Sequence, residues 1–327
     1  MTIQHDQAAW FASTFDRLVS NVEVAIKGKA HTIRLALACM LSGGHVLLED
    51  VPGTGKTVLA KSLANTVQGT SSRIQFTPDL LPSDVTGVTI YNQQTGRFDF
   101  HRGPVFANVV LADEINRASP KTQSALLEVM EEGRVTVDGV AHETGAPFMV
   151  IATMNPVEQA GTYALPEAQL DRFLIKTSLG YPDHQVTVQL LADAANRTRD
   201  AKVEAIITAE AVTQMIDLAA TVHTDTSVLD YVSRIADATR RSPEVALGAS
   251  MRGCLSYVRA AKTWAAAQGR THVVPDDIKA LALPVLSHRV LLTPDALFNG
   301  VTPEQVIGRI LSEIAPPAER GPEPVRA

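Results

Sequence analysis

Residues 45–57 read HVLLEDVPGTGKT. The first five form a short apolar run of strand length. The next eight form a loop rich in Gly and Pro that ends on Gly-Lys-Thr, and a helix follows from Thr57. Strand, loop and helix in that order is the setting in which a backbone binds phosphate. Small residues let the chain turn tightly, so that the N–H groups of Gly53, Thr54, Gly55, Lys56 and Thr57 converge at the positive end of the helix. Lys56 then reaches the β- and γ-phosphates of a nucleoside triphosphate, and Thr57 offers its hydroxyl to Mg²⁺. Loops of this kind usually open on Gly, whereas position 50 here is Asp. A carboxylate beside a triphosphate would repel it, so Asp50 must turn away or be held by a contact of its own.

Outward from this loop, further apolar runs of strand length lie at 73–76, 108–113, 148–153 and 173–177, and helical stretches such as 120–131 separate several of them. Strands that alternate with helices imply a parallel sheet covered on both faces. Residues 10–42 carry apolar positions at helical spacing, broken at Lys27-Gly28-Lys29, and read as two helices. The run NVVLADE at 108–114 is an apolar strand ending on two carboxylates. Downstream of a phosphate loop, Asp113 is suited to hold Mg²⁺ and Glu114 to orient and polarise an attacking water. Two pieces interrupt the alternation and read as inserted β-hairpins, at about 85–101 and 134–144. The second is centred on Asp138-Gly139, a dipeptide suited to the positive φ angles of a type I′ turn. Residues 1–182 thus form an α/β domain. After Tyr181-Pro182 the strands are expected to stop, with helices at 185–199, 209–221, 227–241, 249–268 and 275–286 forming a separate helical domain over 183–315. The Pro-rich polar stretch 316–327 reads as a disordered tail.

Composition excludes several alternatives. The chain has 327 residues, of which 45% are hydrophobic and 20% charged, with a net charge of -6. This is enough apolar material for a sizeable core, and no global positive field gathers nucleic acid. Cys39 and Cys254 lie far apart in apolar helical contexts and read as small buried hydrophobes. No leader-like segment or membrane-length apolar run is visible, so a cytoplasmic, reducing location is expected. The nine histidines show no metal-ligand spacing, and no catalytic triad can be argued.

The segments LLEDVPGTGKT, LADEINRASPKTQSALLEVMEEGRVTVDG, ATMNP and LPEAQLDRF, in that order, resemble the AAA+ ATPases and within them the MoxR group, over nearly the whole chain. The resemblance implies an αβα sandwich with a parallel five-stranded sheet of order 5-1-4-3-2 and a C-terminal all-α lid. It also implies ATP with Mg²⁺ held between lid and sheet at an oligomer interface. The two hairpins look like the family's helix-2 insert and the hairpin before its sensor strand. Asn155 matches the polar sensor that helps orient water; alone, it is a turn residue before Pro156. Arg172 matches the arginine finger that reaches a neighbouring subunit's site; alone, it is a cation beside Asp171. Arg252 matches the second sensor, although Met251 stands where the family more often has Pro. Gly28 falls at the family's adenine-side loop; alone, it is a helix break. Arg117 is either a further interface arginine or one half of a surface salt bridge.

Three functions follow from this reading. The first is a ring, a hexamer by resemblance, that couples ATP hydrolysis to movement of the hairpins against a protein client, with a partner carrying a von Willebrand factor A domain. The second is a nucleic-acid motor, since relatives with both hairpins translocate DNA. Against it, the second hairpin offers only Arg134 as a base and carries Asp138 and Glu143. The third is an ATP-dependent scaffold without turnover, which an intact Glu114, Asn155 and Arg172 argue against.

Overall fold

The computed structural model describes residues 2–155, 161–195 and 203–317. Helices α1 (His5–Ala25) and α2 (Ala30–Leu41) precede strand β1 (Val46–Glu49), the phosphate-loop helix α3 (Lys56–Thr66), β2 (Ser71–Gln75) and a short α4 (Pro82–Thr86). The first hairpin, β3 (Gly87–Asn92) and β4 (Arg97–Arg102), is followed by β5 (Val109–Asp113) and α5 (Pro120–Glu132). The second hairpin, β6 (Arg134–Val137) and β7 (Val140–Glu143), leads to β8 (Met149–Met154), α6 (Glu167–Leu170) and β9 (Ile175–Thr177). Helices α7 (His184–Ala195), α8 (Ala209–Ala220) and α9 (Thr226–Arg241) come next, then β10 (Val245–Leu247), α10 (Met251–Ala266), α11 (Pro275–Leu286), β11 (Leu291–Leu292), α12 (Pro294–Phe298) and α13 (Pro303–Glu313).

Five strands form one parallel sheet in the order β2-β5-β8-β1-β9, which is the expected 5-1-4-3-2. Successive residues of its central strands face opposite sides, and both sides are buried. Val46, Leu48, Val109, Leu111, Met149 and Ile151 join the core shared with α1, α2 and α3. Leu47, Val110, Ala112, Val150 and Ala152 join a second core with Leu126 and Leu127 of α5. Burial on both faces is why these strands read as continuous apolar runs rather than alternating ones. The first core continues without a break to Tyr231 of α9, Tyr257 of α10 and Leu281 of α11.

The expectation that strands end at Pro182 needs one amendment. β10 and β11 pair antiparallel within the helical region, and at three and two residues they are too short to leave a periodic signal. Helices α12 and α13 were also not marked individually by the sequence. The last strand of the parallel sheet, β9, starts at Ile175 rather than Phe173, because the preceding backbone is bonded elsewhere. The Leu174 N–H donates to His45 O at 2.8 Å, and Phe173 O accepts from Arg289 Nη2 at 2.7 Å. The end of the helix expected over 185–199, from residue 196, and most of the expected tail, from residue 318, lie outside the described residues.

Both hairpins form. Asp138 and Gly139 have φ of 51° and 79°, as a type I′ turn requires. The hairpins are joined to each other, because Phe100 stacks on His142 with centroids 4.3 Å apart and Thr89 Oγ1 donates to Asp138 Oδ2 at 2.7 Å. Tyr91 and Phe98 pack together at the outer end of the first hairpin and are 51% and 73% exposed.

Two buried histidines, His45 and His288, bond backbone groups near the N-terminal ends of β8 and β9. His45 accepts from Val150 N at 3.0 Å through Nδ1, so its Nε2–H donates to Met130 O at 2.9 Å. Burial, with a smaller contribution from the Arg259 charge, pulls its imidazole down to about 4, and burial and Arg289 hold His288 well below its ordinary value. Below the unfolded value near 6.5, the unfolded chain takes up protons that the folded chain refuses. Stability is therefore fully present above about pH 6.5 and falls as the pH drops below it, for His45 by roughly 1.4 kcal/mol per pH unit down to about 4, with His288 acting in the same direction. Urea unfolding at pH 7.5, 6 and 5 should show a midpoint that declines over this window. A flat profile would mean that these imidazoles take up protons in the fold as readily as in the unfolded chain.

Candidate active site

In a parallel sheet all strand C-termini share one edge, where ligands of open α/β folds bind. β1 enters the phosphate loop there, β5 ends on Asp113, and Asn155 follows β8, which lies between them. The sequence thus reaches three positions of one edge from three separate motifs.

The loop has the conformation that its glycines predict. Gly53 and Gly55 have φ of 85° and 98°, and a Cβ at either would meet no atom within 4 Å, so the space over the loop is open to a ligand. Lys56 Nζ rests on the loop's own carbonyls, 3.1 Å from Val51 O and 3.4 Å from Asp50 O. Asp50 does not face the loop interior. Its buried carboxylate accepts from Leu179 N at 2.5 Å and Gly180 N at 2.9 Å, which ties the segment after β9 to the start of the loop. That segment also meets the α1–α2 turn, where Lys29 Nζ donates to Tyr181 O at 2.7 Å and Gly28, with φ of 72°, lies against Val186. Gly28 is therefore a helix break packed against the start of α7.

The acid pair is held by residues that sequence reasoning passed over. Thr153 Oγ1 donates to Asp113 Oδ1 at 2.7 Å and accepts from Glu114 N at 2.9 Å, while Arg73 Nη2 donates to Asp113 Oδ2 at 2.6 Å. Glu114 has φ of 56°, in the left-handed region, which turns its carboxylate away from the strand. There its Oε2 meets Gln75 Nε2 at 3.1 Å and Arg117 Nε at 3.0 Å. Arg117 thus forms a salt bridge within its own protomer. Thr153 was legible, since it lies one residue before Met154 in ATMNP. Arg73 and Gln75 were not, because strand pairing alone brings β2 beside β5.

The two remaining arginines lie elsewhere. Arg172 precedes β9 and so sits at the N-terminal edge of the sheet, the edge opposite the phosphate loop, with strands of three to six residues, about 10–20 Å, in between. Arg252 is in the first turn of α10 and meets it there. Both pair with Glu131 at the end of α5, Arg172 at 2.8 Å and Arg252 at 2.5 Å. Asp171, the adjacent acid, is instead taken by buried Arg289 at 2.7 Å and by Ser250 Oγ at 2.7 Å. Arg289 also bonds the carbonyls of Asp171 and Phe173, which fixes the backbone on both sides of Arg172.

The residues at the phosphate-loop edge fit a magnesium nucleotide. The loop is open, and Thr57 and Asp113 offer the oxygen donors that a hard cation takes. Among the described residues no cluster of three His, Cys, Asp or Glu could hold a metal on its own, and no helix is long and apolar enough to cross a membrane.

The ATPase family associated with various cellular activities matches residues 45–175, and the AAA lid domain matches residues 237–310. The protein YeaC of Bacillus subtilis is 46% identical over 93% of this chain and 95% of its own length. Chaperone MoxR1 of Mycobacterium tuberculosis is 42% identical over 93% and 82%, and protein MoxR of Paracoccus denitrificans 32% identical over 82% and 86%. A crystal structure of a candidate ATPase from Cytophaga hutchinsonii, 37% identical, superposes with a TM-score of 0.88 over 95% of this chain and 97% of its own. With the phosphate loop, the acid pair and the sheet order all in agreement, the chain belongs to the MoxR family of AAA+ ATPases.

Proposed function

We propose that the protein hydrolyses ATP at sites shared between neighbouring copies in a ring, a hexamer by family resemblance, and uses the cycle to remodel a protein client. One observation carries this reading: the phosphate loop and acid pair occupy one edge of the sheet, and Arg172 and Arg252 the other. A complete set of catalytic groups exists only where the loop edge of one copy meets the arginine edge of the next, so both arginines act on the neighbour's nucleotide. The α/β part over 1–182 supplies the nucleotide edge, and the helical part over 183–315 acts as the lid that brings Arg252 forward.

Within the shared site, the loop N–H groups and Lys56 bind and orient the phosphates. Mg²⁺ held by Thr57 and Asp113 neutralises phosphate charge when it is bound. Glu114 accepts a proton from the attacking water that Asn155 helps to orient, and Arg172 and Arg252 stabilise charge on the transferring phosphoryl. For this to happen Arg117 and Gln75 must leave Glu114 free, and Arg73 must share Asp113. The linked hairpins, with Tyr91 and Phe98 outermost, are the parts that meet the client. A von Willebrand factor A-domain protein remains the expected partner on family resemblance.

Specific phosphate-release activity should rise with protein concentration through the range in which copies associate, and should be indifferent to added DNA. Activity independent of concentration would sink the shared site. Salt-sensitive stimulation by DNA would favour a nucleic-acid motor, which the pairing of Arg134 with Glu132 at 3.1 Å and of Asp138 with Thr89 argues against.

A further inference from the structure

The ion pairs that hold Arg172 and Arg252 run against helix electrostatics. Glu131 is the last residue but one of α5, the end at which the helix dipole is negative, and Arg252 is the second residue of α10, where the dipole is positive. Each charge sits where its own helix disfavours it. Some other helices follow the rule, with Glu210 opening α8, Asp276 and Asp277 opening α11, and Arg240 and Arg241 closing α9, whereas α3 opens on Lys56 and α13 closes on Glu313.

The cleft around it, about 360 Å³, has three basic residues in its lining, Arg172, Arg252 and Arg259, and two acidic ones, Glu131 and Asp171. Asp171 is already committed to Arg289 and Ser250. Glu131 is left as the one lining carboxylate against three cations, so the cleft is built for an anion. Its Oε1 takes Arg252 and its Oε2 takes Arg172. Two arginines from segments far apart in the chain thus converge on two oxygens of one anion, as two oxygens of a terminal phosphate would require.

We infer that Glu131 is a positioning residue that substitutes internally for the neighbour's γ-phosphate, an inference that rests on the shared-site reading above. In a protomer without a neighbour it keeps Arg172 and Arg252 converged, and the incoming phosphate displaces it. Glu131 therefore opposes ATP-dependent association while it preserves the geometry that association needs. His45 contributes from behind, since its Nε2–H holds the carbonyl of Met130, the residue before Glu131.

The test uses the full chain with Glu114→Gln, so that ATP is bound and not consumed, and reads the association midpoint by sedimentation velocity with ATP or ADP. Glu131→Gln removes the charge and keeps the shape, and Glu131→Ala removes the side chain, guarding against new hydrogen bonds from the amide. Both should associate at roughly three- to tenfold lower protein concentration than the parent in ATP, the effect of losing two exposed ion pairs that compete. With ADP, which lacks the competing phosphate, no shift is expected. Arg172→Ala and Arg252→Ala should raise the midpoint in ATP. If those two arginine variants weaken association while both Glu131 variants leave it unchanged, or weaken it with ATP and ADP alike, the inference is overturned and the shared site stands. If the arginine variants associate like the parent, the shared site itself falls and the inference with it.

Discussion

Arg172→Ala is expected to bind ATP normally and to hydrolyse it about 10³- to 10⁵-fold more slowly, a loss of roughly 4 to 7 kcal/mol of transition-state stabilisation. The size of the effect discriminates between roles. As a structural ion pair with Glu131, half-exposed to solvent, Arg172 would contribute about 1 kcal/mol or less, and its loss would leave turnover nearly intact. Folding should change little, because Arg252 still neutralises Glu131 and the Asp171–Arg289 pair still anchors the segment. Location then gives a second test. Arg172 lies at the sheet edge away from its own phosphate loop, so mixing Arg172→Ala with Lys56→Ala should restore part of the activity. The restored interfaces are those where the intact loop of one variant meets the intact arginine of the other. Normal turnover by a purified Arg172→Ala assembly, or no rescue in the mixture, would show that the arginine does not act between subunits.

Glu114→Gln should retain ATP affinity and lose about 10²- to 10⁴-fold in rate, the range a positioned general base supplies. The amide keeps the shape of the side chain and loses the basic oxygen. The backbone should be unaffected, because the left-handed turn at Glu114 is held by its N–H bond to Thr153 rather than by the carboxylate. Bound ATP should therefore persist, and the variant should accumulate as an ATP-loaded assembly that retains partners and clients. Phosphate release and retained nucleotide, measured on one preparation, check both halves. Wild-type turnover would move the base elsewhere, with Asp113 the nearest acid.

The phosphate loop was legible because its residues are contiguous: from Gly53 to Thr57 the proposed binding groups are neighbours along the backbone, so short-range sequence specifies short-range geometry. The same holds for the Asp138-Gly139 turn, and for the buried strands, whose unbroken apolar runs reflect a sheet covered on both faces. Asp50 marks where legibility ended. Its departure from the usual glycine showed that some contact was required, but the partners, Leu179 and Gly180, lie some 130 residues away. Glu131 was hidden for a related reason. It is one of three glutamates in LLEVMEE, and nothing local separates it from Glu128 or Glu132. Its two arginines are brought to it by β9 joining the sheet beside β1 and by α10 docking on the same core. Motif matching could name Arg172 and Arg252 but could not say which edge of the sheet they occupy, since that follows from strand direction and helix packing. Propensity and turn chemistry act over a few residues. The pairing of charges 41 and 121 positions apart is decided only when the elements that carry them pack together.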